Sequence, residues 1–136
     1  MIEVRPFQSS DFTELPRDRL PVSAWEFWTP QYVGALIAHG PAFTLRVGER
    51  IMIIAGVAFD VRGAGWLWSF LANDSGPYML AITRAVRRAL GTFPGKIFAT
   101  SDKAFAASHR WLKLVGLSLS VDPRWPPGPD LLFERA

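Results

Sequence analysis

The chain has 136 residues, 49% hydrophobic, 13% aromatic and 20% charged, which suits one domain with a sizeable core and excludes a disordered or fibrous chain. It has no cysteine, which excludes disulfides, thiolate metal sites and cysteine nucleophiles, and its two histidines, His39 and His109, are too few for a histidine-rich zinc site. The formal net charge is +3, distributed as −2 over residues 1–60, +6 over 61–121 and −1 over 122–136. The positive middle suits a phosphate-bearing cofactor, a nucleic acid, an acidic protein surface or simply a solvated helix face. No apolar run approaches the roughly 18 residues of a membrane span. The opening Met1-Ile2-Glu3-Val4-Arg5-Pro6 lacks the layout of a signal peptide, so a soluble, intracellular domain is expected.

In chain order, Ile2 to Phe7 alternates as a short strand. Ser9-Ser10-Asp11 offers helix caps, with Glu14 placed to close a capping box from Asp11, and Pro16 limits that helix. Thr29-Pro30 starts a second helix with an apolar stripe of Tyr32, Val33, Leu36 and Ile37, ended by Gly40-Pro41. Ala42 to Val47, the turn Gly48-Glu49-Arg50 and the apolar run Ile51 to Val61 read as a β-hairpin. Trp66-Leu67-Trp68-Ser69-Phe70-Leu71 then puts three aromatics on one strand face.

The loop Asn73-Asp74-Ser75-Gly76-Pro77 leads into a helix to Leu90, with Met79, Ile82, Val86 and Leu90 inward, Arg84, Arg87 and Arg88 outward, and Gly91 as its cap. Lys96 to Thr100 is a buried strand. Ser101-Asp102 is expected to cap a last helix that turns Ser108, Trp111, Leu112 and Val115 inward and stops at Gly116. Strands at Leu117 to Val121 and Leu131 to Glu134 flank a proline-rich turn. Trp66, Trp68 and Trp111 are expected in the core, while Trp25, Phe27, Trp28 and Trp125 are candidates for a partner-binding patch. The pattern is a single α/β domain over residues 1–136: a mixed, mostly antiparallel sheet of about seven strands with helices on both faces.

This element order resembles the GNAT superfamily, the Gcn5-related N-acetyltransferases, along the whole chain. The stretch Arg110-Trp111-Leu112-Lys113-Leu114-Val115-Gly116 and the strand opening Gly65-Trp66-Leu67-Trp68 look most like phage-encoded GNAT-like proteins, including internal virion proteins of tailed podophages. The resemblance implies an acetyl-CoA site in a V-shaped opening between the fourth and fifth strands. Backbone N–H groups after the fourth strand would hold the pyrophosphate. Carried onto this chain, the cofactor-binding positions are Phe70, Leu71, Ala72, Ser75 and Gly76, with Arg84 and Arg88 for a phosphate. The family's Arg/Gln-x-x-Gly-x-Gly/Ala sign is reduced here to one glycine, with Asp74 and Pro77 beside it; Asp74 either points into the groove or, like Ser75, caps the helix.

The family's cofactor-holding Asn and proton-donating Tyr fall on Phe105 and Leu112, which cannot serve. The catalytic candidates that remain are Tyr78, His109 and Asp60, with Glu26 and Asp74 also weighed as bases. No metal is implied. The resemblance thus implies either an acetyl-CoA-dependent N-acyltransferase acting on an unidentified amine acceptor, or a catalytically silent GNAT-like component with a virion or host protein partner. Its expected location is the host cytoplasm or the virion. A membrane partner is not expected, and nucleic-acid binding is disfavoured because no aromatics interleave with the Arg84–Arg88 cluster.

Overall fold

In the computed structural model, which describes residues 2–104, 106–122, 124–126 and 128–135, seven strands form one sheet in the order β1-β2-β3-β4-β5-β7-β6. The strands are β1 (Ile2–Pro6), β2 (Ala42–Val47), β3 (Arg50–Phe59), β4 (Gly65–Leu71), β5 (Ile97–Asp102), β6 (Ser118–Leu119) and β7 (Asp130–Glu134), and the helices α1 (Asp11–Glu14), α2 (Pro30–Ile37), α3 (Met79–Leu90) and α4 (Ala106–Leu114). Every neighbouring pair is antiparallel except β4–β5, which is parallel. The expected mixed, mostly antiparallel sheet with helices on both faces is what forms.

Alternation along β4 separates two cores. Leu67 and Leu71 pack with Ile53, Val57, Ile82, Val86 and Leu112 under α3 and α4. Trp68 and Phe70 face the other way, toward Leu15, Leu20, Trp28 and Val33 beside α1 and α2. Trp66, Trp68 and Trp111 therefore do not share a core. Trp111 belongs to the α3/α4 side, and the half-buried Trp66 stacks on Phe98 at 5.2 Å while donating its indole N–H to Asp60 at 3.0 Å.

Local signals held where their partners are local. Thr29 accepts from the Tyr32 N–H at 3.1 Å with Pro30 in the first turn of α2. Gly48, at φ 61°, makes the two-residue β2–β3 turn, so Arg50 belongs to the strand. Several expectations are corrected. Tyr32 is exposed rather than part of the inward stripe. Ser101 is a buried residue of β5, and its hydroxyl caps no helix among the described residues, whereas Asp102 Oδ1 accepts the Ala104 N–H. The third helix starts as a 3-10 turn at Gly76–Tyr78, and Gly91 closes α3 in an ordinary right-handed conformation.

Asp11 does not close a capping box. It is fully buried, and its carboxylate accepts from Arg5 at 2.6 and 3.2 Å, from the Gln8 N–H at 3.0 Å and from the Thr44 hydroxyl at 2.6 Å, clamping α1 to β1 and β2. Burial alone would raise its pKa; the bonds from Arg5, Gln8 and Thr44 outweigh that and hold the carboxyl below its ordinary value. At the other end of the sheet, Arg135 donates to the carbonyls of Leu90, Phe93 and Gly95, each at 2.6 Å, which ties β7 to the end of α3.

The fork between β4 and β5 starts here. The two strands pair only at Gly65↔Ile97 and Trp66↔Phe98, and Gly65 donates its N–H to Lys96 O at 2.9 Å. A Cβ at Gly65 would lie 2.6 Å from Val57 Cγ1 and 2.8 Å from Ile97 Cδ1, so only glycine lets the strands touch at that point. Gly65→Ala should destabilise the fold by about 1–3 kcal/mol in urea titration, as overpacking does; a loss near zero would show that the junction relaxes freely. Asp11→Asn should cost about 3–5 kcal/mol by removing the buried carboxylate and leaving Arg5 with only the longer, part-exposed contact to Glu14 at 3.5 Å. In the native chain the Asp11 contribution is present above the unfolded carboxylate value of about 4 and is lost as pH falls below it, so thermal unfolding should show this acid-side loss and the variant should lack it.

Candidate cofactor and acceptor cleft

Beyond Trp66 and Phe98 the two strands follow different partners. β4 continues against β3 as far as Ile53↔Leu71, and β5 against β7 from Phe98↔Glu134 to Asp102↔Asp130. The bond from the Ala72 N–H to Met52 O sets the phase of the β3–β4 ladder. Residues of the Trp68, Phe70, Ala72 set bond to β3, so Ser69 and Leu71 direct their N–H and C=O groups into the gap that β5 has left, while the Leu67 N–H is still taken up in the last rung of the parallel pair. This is an open strand edge inside the molecule, able to pair with an amide-bearing ligand as a strand would.

The gap is a cleft of about 1000 Å³ that passes through the sheet. One side is walled by the start of α3 and by α4, through Ser75, Gly76, Met79, Ser108, Trp111 and Leu112. The other is walled by Pro21, Ser23 and Ala24 of the segment before α2, with Trp68, Phe70 and Asn73. Ala99 and Thr100 of β5 close it. Phe70, Leu71, Ala72, Ser75 and Gly76, the positions carried over from the family resemblance, all stand in these walls. Among the described residues no wall side chain is titratable. A second, separate cavity of about 40 Å³ lies under α3, lined by Ala55, Gly56, Ala85 and Ala89 among apolar neighbours.

A carboxylate facing the groove from the loop after β4 would repel a pyrophosphate, so the position of Asp74 matters. The structure removes the repulsion: Asp74 neither enters the cleft walls nor caps a helix. Its oxygens accept from Arg19 at 2.9 Å and from Arg50 at 2.6 Å. The Arg19 bond, aided by Arg50 and opposed by partial burial, lowers the Asp74 pKa to about 2. Arg19 also donates to Ile51 O at 2.9 Å and accepts the Asn73 N–H at 2.7 Å, so one residue of a 3-10 turn at Arg17–Arg19 holds the loop in place. Sequence reading missed Arg19 because its partner lies 55 residues away.

Anion donors in this loop are few. The N–H groups of Ala72, Asn73, Ser75 and Tyr78 are bonded within the protein, and Pro77 has none. Gly76 keeps an N–H without an acceptor among the described residues, and no Cβ blocks the approach to it. The walls thus suit an apolar, amide-bearing ligand arm, with the Gly76 N–H as a backbone donor toward an anion.

The other candidates lie elsewhere. Asp60 sits at the β3–β4 turn, at the closed end of the fork, where Trp66 and the N–H groups of Arg62 and Ala64 hold its carboxyl below its ordinary value. His109 is half-buried with Nε2 2.8 Å from Asp102 O and its ring 5.5 Å from Phe133. Tyr78 ends the 3-10 turn before α3, partly exposed and outside the walls. Arg84 and Arg88 stand exposed on α3, also outside the walls. Glu26 is exposed. Phe105 lies outside the described residues, and Leu112 is a cleft wall with no proton to give. Thr100, Ser108 and Trp68 are wall residues that the sequence did not mark as site residues; Ser108 was expected only on an inward helix stripe and Trp68 only in the core.

No protein-family model matches the sequence, and no curated protein matches it. Solved structures do match it in fold. The GNAT domain of S. lividans PAT superposes with a TM-score of 0.74 at 10% identity, covering 98% of this chain and 89% of that one. The aminoglycoside acetyltransferase AAC(6')-Ib in complex with coenzyme A gives 0.71 at 15% identity, covering 100% and 95%. A GNAT family acetyltransferase from Elizabethkingia anophelis with acetyl-CoA bound gives 0.66 at 12% identity, covering 98% and 97%. The chain has the GNAT fold.

The charge state of the loop is directly measurable. The Asp74 carboxyl carbon should titrate by NMR with a midpoint near pH 2; a midpoint near 4 would mean that the two arginine contacts do not persist in solution. Asp74→Asn should change stability by no more than about 1 kcal/mol, since Arg50 and Asp74 are both well exposed.

Proposed function

We propose that the chain is an acetyl-CoA-dependent N-acyltransferase whose cofactor and amine acceptor meet in the β4–β5 cleft. The observation that carries this reading is the fork: a parallel pair that opens after two residues and leaves the Ser69 and Leu71 backbone without strand partners on that side. What supports the cofactor is the match between that edge and a ligand arm with amide groups, together with the Gly76 N–H at the mouth. Bound acetyl-CoA would supply an activated thioester carbonyl. The chain's own part is to orient that arm along β4, exclude water with Phe70, Leu71, Met79 and Leu112, and admit the amine past Ser23, Ala24 and Trp68. The amine nitrogen attacks the carbonyl directly; the described walls hold serine and threonine hydroxyls but no titratable side chain to activate one as a nucleophile.

A second reading is favoured by a specific observation, the lack of any titratable side chain among the described walls. On that reading the domain is catalytically silent and serves as a virion or host-interaction component. The exposed Phe27 and Tyr32, whose rings lie 5.1 Å apart, with Val22 nearby in sequence, would then offer an apolar contact surface.

Thermal unfolding with and without acetyl-CoA, paired with release of free CoA thiol in the presence of amines, separates the two. At a hundred times its dissociation constant acetyl-CoA should stabilise the protein by about 2.7 kcal/mol, roughly a 10 °C shift for a domain of this size. No shift at millimolar acetyl-CoA would end the cofactor assignment; a shift without thiol release for any amine would favour the silent reading.

A further inference from the structure

The acyltransferase reading, on which this inference rests, leaves the acceptor unnamed, and the chemistry of the walls narrows it. We propose that the acceptor is a weakly basic aromatic amine, whose nitrogen is already neutral at pH 7, and that the cleft excludes alkylammonium and polyamine acceptors.

Three observations converge. The first is the missing base. An alkylamine with the basicity of a lysine side chain is free base in only about one molecule in 2,500 at pH 7, so its transfer needs a group to take the proton. Around the cleft the titratable groups are hydrogen-bonded elsewhere or exposed, and none stands in the described walls. Asp74 is bound by Arg19 and Arg50, Asp102 by the Ala104 N–H and, through its carbonyl, by His109; Glu26, Lys103 and Arg110 are exposed and Tyr78 partly so. The residues outside the described set, Met1, Phe105, Pro123, Pro127 and Ala136, carry no titratable side chain.

The second is the sign of the charge. The carboxylate beside the acceptor wall, Asp74, is already paired with Arg19 and Arg50, and no wall carboxylate is present to receive an ammonium. The third is a fixed aromatic surface. The Trp68 indole lies directly on Gly56, where even a Cβ would come within 2.6 Å of Cζ2. Phe70 meets Trp68 at 6.1 Å and Trp28 at 4.9 Å, so the rings brace one another against rotation. A flat ring entering past Ser23 and Ala24 finds an apolar face to stack on.

The step balances without a protein base. The neutral nitrogen forms the new C–N bond to the thioester carbonyl, the C–S bond breaks, and the nitrogen's proton passes through water to the departing CoA thiolate. The products are an N-aryl acetamide and free CoA.

The test uses two isomers of one molecular formula, p-toluidine and benzylamine, which differ in where the nitrogen sits and hence in basicity, with spermidine as a third acceptor. Acetyl-CoA binding by calorimetry is measured first on the full chain. At pH 7, kcat/KM for p-toluidine should exceed that for benzylamine and for spermidine by at least about ten-fold, with a rate flat between pH 6 and 9. Trp68→Leu should raise KM for p-toluidine by at least about five-fold, and Trp68→Phe, which keeps an aromatic surface, should largely restore it. Binding of acetyl-CoA with equal or faster acetylation of benzylamine or spermidine overturns the inference and leaves the acyltransferase reading standing. Binding without acetylation of any of the three overturns the inference and favours the silent domain, and absence of acetyl-CoA binding overturns both readings at once.

Discussion

The site depends on the short parallel contact between β4 and β5. Each strand is satisfied on its outer side, β4 by β3 and β5 by β7, over far more residues than the two at which they meet each other. Beyond that junction the inner edges carry backbone donors and acceptors that the sheet does not use, inside a domain rather than at its rim. Such groups are costly when buried and unpaired, so they stay accessible to solvent or to a ligand with matching amides. Gly65 and the stacked Trp66 and Phe98 hold the junction closed at one end, and the starts of α3 and α4 frame the opening at the other.

Charge is organised around the opening rather than in it. Asp74, in the loop that would face a pyrophosphate, is neutralised by Arg19 and Arg50, which also anchor that loop to the 3-10 turn before α2 and to the start of β3. The +6 of the middle segment falls elsewhere. Its strongest cluster, Arg84, Arg87 and Arg88, stands on the solvent face of α3, where the one bond recorded for it among the described residues runs from Arg87 to Leu114 O at 3.3 Å. The cleft itself is left neutral, apolar and aromatic on one wall, with serine and threonine hydroxyls as its polar groups. The described walls supply no acid or base, so on the acyltransferase reading proposed above the chemistry of the acceptor has to make good the difference.

Legibility followed sequence distance. The Thr29-Pro30 helix start, the β2–β3 hairpin and the inward stripe of α3 are local patterns, and they form as the residues indicate. Asp11 carried a local signal too, and it misled: a buried partner 33 residues away, Thr44, together with Arg5 outcompeted the helix N–H groups for its oxygens. Ser101 was drawn from a cap into β5 by pairing with Leu131. Of the cofactor positions placed through the family resemblance, Phe70, Leu71, Ala72, Ser75 and Gly76 line the opening and Arg84 and Arg88 do not; Asp60, Tyr78 and His109 had the right chemistry and also stand outside it.

What the amino-acid order determined by itself is the set of elements, their sequence and which faces are apolar, because periodicity, caps and turn residues act over a few positions. It also determined the chemical inventory: no thiol, few histidines and many tryptophans. Tertiary structure alone decided the register at which β4 and β5 touch, the pairing of Asp74 with two arginines far away in the chain, and which side chains face the gap. Those depend on contacts between residues tens of positions apart, where the free energy lies in the fit of whole elements and not in any one stretch of chain.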